Sequence, residues 1–195
     1  KVKSGFSKFL LNNSFKKFGL SYNIVSNSIH PTKFTDGQGE PLNKVVTSDL
    51  GINKDDALTP LDTYLFGDVF YDSDLEKLNI TDGEIESVSV FTKIPKNSIK
   101  IPVSGGFSYS PDFAYVIKTS KGDFLNFIIE TKNVDGKDDL RKNEDRKIEH
   151  AKALFSQISK DVTVEFKTQF KDDLIYDLVK QAIVSQNSSG SLQTN

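Results

Sequence analysis

The chain has 195 residues, 25 basic against 27 acidic, and no cysteine. That length suits one large domain or one domain with an appendage, at about 150 residues per domain. The near-neutral balance gives no global basic footprint of a nucleic-acid binder. The missing cysteines exclude disulfides, thiol nucleophiles and zinc-thiolate sites and leave a reducing cytosol as the natural setting.

Two histidines cannot build a multi-histidine metal centre. No apolar run reaches the ~18 residues of a membrane span and no leader pattern opens the chain, so a soluble, cytoplasmic protein with no membrane partner is expected. A chain of this size without methionine, even at position 1, reads as a piece of a longer protein or as one whose methionines have been replaced.

In chain order, residues 1–19 set Phe6, Phe9, Leu10, Phe15 and Phe18 among lysines and asparagines, a pattern for a short amphipathic helix. Residues 21–52 mix short β-like pieces with turns at His30-Pro31, Asp36-Gly37 and Glu40-Pro41. Residues 1–59 are therefore taken as an N-terminal extension of short strands and loops. Beyond Pro60, Asp72 or Ser73 is placed to cap a short helix carrying Leu75, Glu76 and Leu78. The run "SVSVFTKIPKNSIKIPV" reads as strands, with Val88 and Val90, then Ile99 and Ile101, alternating against polar neighbours. Lys93, Lys96 and Lys100 make this stretch locally positive.

The next unit, "PDFAYVIKTSKGDFLNFIIE", predicts two apolar strands around Ser120-Lys121-Gly122-Asp123, where glycine supplies the positive φ of a tight turn. If the hairpin is centred on Lys121, positions summing to 242 face each other, and Asp112 falls opposite Glu130. Alternation then sends Glu130 and Lys132 to one face and Thr131 to the other. In "GKDDLRKNEDRKIEHAKALFSQIS", Ile148, Ala151, Leu154, Phe155 and Ile158 recur at three- and four-residue steps and predict a helix, with Glu144, Lys147 and His150 on its flank. "VTVEFKTQF" alternates as a strand, residues 172–184 form a last amphipathic helix, and 186–195 read as a disordered tail. The order hairpin, helix, strand, helix predicts an α/β fold, a mixed central β-sheet flanked by helices.

Asp112, Glu130 and Lys132 would converge at one end of that hairpin. Two adjacent carboxylates repel and raise each other's pKa unless a cation lies between them. An oxygen-lined site suits Mg²⁺, which takes one or two protein carboxylates and completes its shell with water and phosphate oxygens. A lysine beside such an ion can orient a water or screen a phosphoryl anion. The plain alternative is that Asp112 is a turn residue and Glu130 with Lys132 a solvated edge pair. The apolar run 124–129, with Asn126 as its one polar residue, argues against a surface edge.

"PDFAYVI", "FIIETKN" and the helix after them resemble the PD-(D/E)xK nuclease superfamily. With "FYDSDLEKL", "VFTKIPKNSIKIPVSGGFSYSPDFAYVI" and "NEDRKIEHAKALF", the wider pattern is similar to the C-terminal endonuclease domain of type III restriction enzyme Res subunits. The resemblance implies a restriction-endonuclease-like core over residues 60–185 and Mg²⁺-dependent hydrolysis of double-stranded DNA in a bacterial cytoplasm. It implies Asp112, Glu130 and the Thr131 backbone carbonyl as metal ligands, Lys132 as catalytic lysine, and Glu76 as a further acid beside the metal. Phe113 and Asn133 depart from the residues common at those places. Lys93, Lys96, Lys100 and Lys147 flank the site and are the expected DNA-binding residues, while His150 is expected to pack or face solvent.

The chain has no G-x-x-x-x-G-K-[ST], so ATP would be used by helicase domains outside it, with a methyltransferase (Mod) subunit as further partner. A repair or recombination nuclease of the same superfamily, or a docking module without cleavage, are the other readings.

Overall fold

A computed structural model describes residues 2–18, 22, 35–38, 40, 42–96, 98–119, 122, 124–159 and 163–189. The expected turn residues His30, Pro31 and Pro41 and the tail from 190 onward lie outside the described residues. The elements are α1 (Val2–Phe18), β1 (Asn53–Lys54), β2 (Phe70–Tyr71), α2 (Asp74–Thr81), β3 (Val88–Lys93), β4 (Ile101–Val103) and β5 (Phe107–Tyr109). They continue with β6 (Phe113–Lys118), β7 (Phe124–Lys132), α3 (Lys142–Ile158), β8 (Val164–Phe170) and α4 (Ile175–Ser189).

β3, β6, β7 and β8 form one four-stranded sheet in that order, and two two-stranded ribbons, β1-β2 and β4-β5, stand apart from it. β3, β6 and β7 are antiparallel neighbours, and β8 lies parallel to β7 after the crossover through α3. Parallel pairing requires a crossover of this kind, which the helical stripe of residues 142–158 supplies. The sheet is therefore mixed and flanked by helices, as the element order implies.

The β6-β7 hairpin keeps the predicted register, pairing Phe113 with Ile129 and Lys118 with Phe124. At its turn Gly122 has φ 86°, the left-handed conformation that glycine tolerates best.

Alternation divides the core into two layers. Phe113, Tyr115, Ile117, Phe127 and Ile129 face α4 and α2, where Leu178, Val179 and Ile80 meet them. Ile128, Ala114 and Phe166 face the other way, onto Ala151 and Phe155 of α3, with Leu11 of α1 in the same layer. Each large aliphatic or aromatic side chain buried in this way contributes about 1.5–3 kcal/mol, so the two layers hold the sheet between helices.

α1 runs as one helix, but Phe6 and Phe9 are exposed while Leu11 is buried; the side chains of Phe15 and Phe18 lie outside the described ones. The helix lies against the β4-β5 turn so closely that a Cβ on Gly105 would sit 2.3 Å from the Ser7 carbonyl oxygen. Asp36 closes its expected turn by accepting hydrogen bonds from the N–H groups of Gln38 and Glu40. α4 runs on to Ser189, so the segment expected to begin a disordered tail is still helical.

Candidate active site

The central strand β7 outruns β6 at one end and carries Glu130, Thr131 and Lys132 there. Pro111 has no N–H to donate, and regular pairing on that side stops at Phe113. The N–H of Asp112 donates to the Ile129 carbonyl at 3.0 Å, so the backbone slips out of the hairpin register at this residue. Asp112 thus does not simply face Glu130. Its Oδ2 accepts from the N–H of Thr131 at 2.7 Å and from the Thr131 hydroxyl at 2.8 Å, which clamps the carboxylate across the end of β7.

Glu130 is 3% exposed. One of its oxygens, Oε1, is ion-paired with Lys132 Nζ; the other, Oε2, is buried without a hydrogen-bond partner. Burial, then the charge of Asp112, pushes the Glu130 carboxyl up to about 8. Burial also raises Asp112, with Glu76 adding to the effect and the two Thr131 hydrogen bonds opposing it. Burial works to lower the Lys132 ammonium, but Glu130 and Asp112 outweigh it and hold it above its ordinary value.

Glu76 approaches from the first turn of α2, where the Ser73 hydroxyl accepts from the Glu76 N–H at 3.3 Å and caps the helix. Its Oε2 is already committed, accepting from the Asp72 N–H at 2.6 Å and from Lys93 Nζ at 2.7 Å. Glu76 therefore acts on Asp112 through its charge, and that oxygen is not free to serve as the metal ligand expected from the sequence.

Lys93 is corrected more fully. It is 3% exposed and also pairs with Asp72 at 3.0 Å, so it does not line a groove open to DNA. The cause is a bulge between Val88 and Val90, which reverses the alternation so that Phe91 and Lys93 join Val88 on the buried face. Lys96 and Lys100 are both exposed, and Lys96 pairs with Asp72 at 3.1 Å.

On the other side of Glu130 a cleft of about 230 Å³ is lined by Ser108, Tyr109, Ser110, Glu130, Lys132, Glu144 and Lys147. α3 brings Lys147 there, half-buried, together with Glu144, whose Oε2 accepts from the Arg141 N–H at 3.2 Å. Tyr109, Ser110 and Glu144 were not singled out as site residues from sequence. The signal for the first two was proximity to the Pro111-Asp112 pair on a strand too short to show a period. His150 is fully buried and packs against Tyr22, whose hydroxyl lies 2.6 Å from both His150 Nδ1 and the Pro102 carbonyl oxygen.

Among the described residues no three Asp, Glu, His or Cys side chains form a ready-made cation cage. Two neighbouring carboxylates both raised above the ordinary carboxylate range, an unpartnered buried Glu130 oxygen and an all-oxygen donor set nevertheless fit a hard cation that keeps much of its water.

The arrangement is that of a family: residues 62–173 match the model described as "Endonuclease domain", and the chain belongs to that family. More narrowly, it is an endonuclease domain of the type III Res kind. It is 69% identical over 183 residues to the Type III restriction-modification enzyme EcoP15I Res subunit of Escherichia coli, covering 94% of this chain and 19% of the relative. The same figures hold for the EcoPI Res subunit of Escherichia phage P1. The StyLTI Res subunit of Salmonella typhimurium is 45% identical over 47 residues, 24% of this chain and 5% of the relative. The chain thus spans about a fifth of the length of the first two relatives. No solved structure matches it. Membership of this family implies a divalent cation in general terms, and among the described residues no helix is long and apolar enough to cross a membrane.

Proposed function

We propose that this chain is the DNA-cutting domain of a type III restriction enzyme, with residues 60–185 as its nuclease unit, hydrolysing phosphodiester bonds of double-stranded DNA with Mg²⁺. The observation that carries the reading is the buried Glu130 carboxylate next to the half-buried Asp112, with Glu130 Oε2 unpartnered beside the Lys132 ammonium. Asp112, Glu130 and the Thr131 carbonyl would hold the ion. When bound, Mg²⁺ supplies a water of lowered pKa and a positive charge facing phosphoryl oxygens.

Lys132, kept charged by Glu130, screens the negative charge that gathers on the phosphoryl group. The Thr131 N–H and hydroxyl fix the Asp112 carboxylate, and Glu76, ion-paired with Lys93, stands behind it and raises it through its charge. Lys147 across the cleft, with Lys96 and Lys100 on the β3-β4 connection, contacts backbone phosphates; such contacts position a duplex without reading its sequence. Helicase domains that use ATP and a methyltransferase (Mod) subunit complete the enzyme, which works in the bacterial cytoplasm.

Glu130→Ala in the full-length enzyme tests the assignment. Mg²⁺-dependent cleavage should be lost while the fold is kept, and the heat of Mg²⁺ binding to the chain should vanish in calorimetry. Cleavage at the wild-type rate would end it.

A further inference from the structure

Three buried polar atoms around the cleft have no hydrogen-bond partner: the Tyr109 hydroxyl, the Ser110 hydroxyl and Glu130 Oε2. All three residues line the same 230 Å³ space, which has room for several waters at about 30 Å³ each. Tyr109 is 7% exposed, and its hydroxyl stands close enough to the Glu130 carboxylate for the two to interact, yet neither Tyr109 Oη nor Glu130 Oε2 has a partner at good hydrogen-bond geometry. Buried polar groups are ordinarily satisfied by protein or by ordered water, so three orphans facing one cavity call for a common partner. One acceptor and two hydroxyls make a complementary set for a water molecule, which needs two to four polar neighbours.

The hydroxyls of Tyr64 and Tyr115 are buried without partners too, but they belong to an aromatic stack with Phe91 on the opposite sheet layer. Tyr109 belongs to the layer of α3, on the side of the cleft. A phenol hydroxyl carries its proton at neutral pH. It is therefore available as a donor.

We propose that Tyr109 is a further catalytic residue: its hydroxyl, with that of Ser110 and with Glu130 Oε2, seats the water that attacks the phosphodiester. The inference rests on the nuclease reading above. In the step, the water oxygen forms the new bond to phosphorus and the bond from phosphorus to the leaving sugar oxygen breaks. The proton lost by the water goes to solvent, which reprotonates the leaving oxygen. Lys132, ion-paired to the other oxygen of Glu130, lines the same cleft beside this seat.

Tyr109→Phe removes the one hydroxyl and leaves the ring in place. In the full-length enzyme, kcat for cleavage of duplex DNA should fall roughly 100-fold, the scale of one lost donor in an active site, while KM for DNA stays the same. Calorimetric titration of the chain with Mg²⁺ should be unchanged. A crystal structure of the wild-type chain should show a water bonded to Tyr109 and Glu130 Oε2, displaced in the variant. A kcat within about threefold of wild type overturns the proposal, and so does lost Mg²⁺ binding, which would make Tyr109 a support for Glu130. Glu130→Ala separates the two readings: if it is inactive while Tyr109→Phe cuts normally, only the water seat fails, and if it also cuts normally, the nuclease site itself is wrong.

Discussion

Lys93 Nζ lies 2.7 Å from Glu76 Oε2, and both side chains are buried. The pair joins β3 to the first turn of α2 immediately behind Asp112. Removing one partner of a buried ion pair leaves the other charge stranded at low dielectric. Lys93→Met should therefore cost about 3–5 kcal/mol of stability, and Lys93→Met with Glu76→Leu should recover most of it. Urea midpoints at constant slope give both values.

The raised Glu130 carboxyl makes the stability of the metal-free chain depend on pH. Its folded pKa of about 8 lies above the unfolded value of about 4.3, so the folded state holds the proton more tightly. Stability should fall as pH rises between those values, by up to about 1.4 kcal/mol per unit, with Asp112 contributing in the same sense. Denaturation in chelator across pH 4–9 reads the slope, and Glu130→Gln should flatten it. Because the cation replaces that proton, Mg²⁺ affinity should rise with pH and level off near 8.

Asn79 and Gln169 exchange two buried hydrogen bonds, Asn79 Nδ2 to Gln169 Oε1 at 2.6 Å and Gln169 Nε2 to Asn79 Oδ1 at 3.0 Å. They tie α2, which carries Glu76, to β8. Gln169→Leu should cost about 1–3 kcal/mol because the Asn79 amide is left unsatisfied, and Asn79→Leu added to it should cost little more. A double-mutant cycle in urea measures that coupling.

The chain alone should bind duplex DNA weakly. It has two arginines, Arg141 and Arg146, and the second is paired with Glu149 at 2.5 Å. Lys93 is buried and Lys96 paired, which leaves few free cations near the site. Fluorescence titration should give a shallow dependence of affinity on salt, and Lys147→Ala should flatten it by about one phosphate contact.

The hairpin was legible because its two strands are apolar runs around a glycine turn, and a period of two carries the register from Gly122 to Phe113. It failed at Asp112, where a hydrogen bond to Ile129 shifts the backbone by one place. Pro111 marks where the ladder must end but not the direction in which the backbone slips. The bulge near Ser89 was equally silent, and it turned Lys93 from an expected phosphate contact into the counter-ion of Glu76. Alternation predicts faces only while the ladder is regular. The cleft wall was hidden for another reason: Tyr109 reaches Glu130 from a three-residue strand in a separate ribbon, a long-range placement that no local pattern encodes.

β7 is hydrogen-bonded along both edges, to β6 and to β8, whereas the backbone ladder of β5 runs to β4, with Tyr109 packed into the α3 layer. The floor and the wall of the cleft therefore keep different clocks. Amide hydrogens of residues 127–131 should exchange with solvent only when the whole sheet opens, and those of β4 and β5 through a smaller local opening, which a hydrogen-exchange time course reads. Glu130 thus sits on the strand expected to exchange last, and Tyr109 on the ribbon expected to open first of the two.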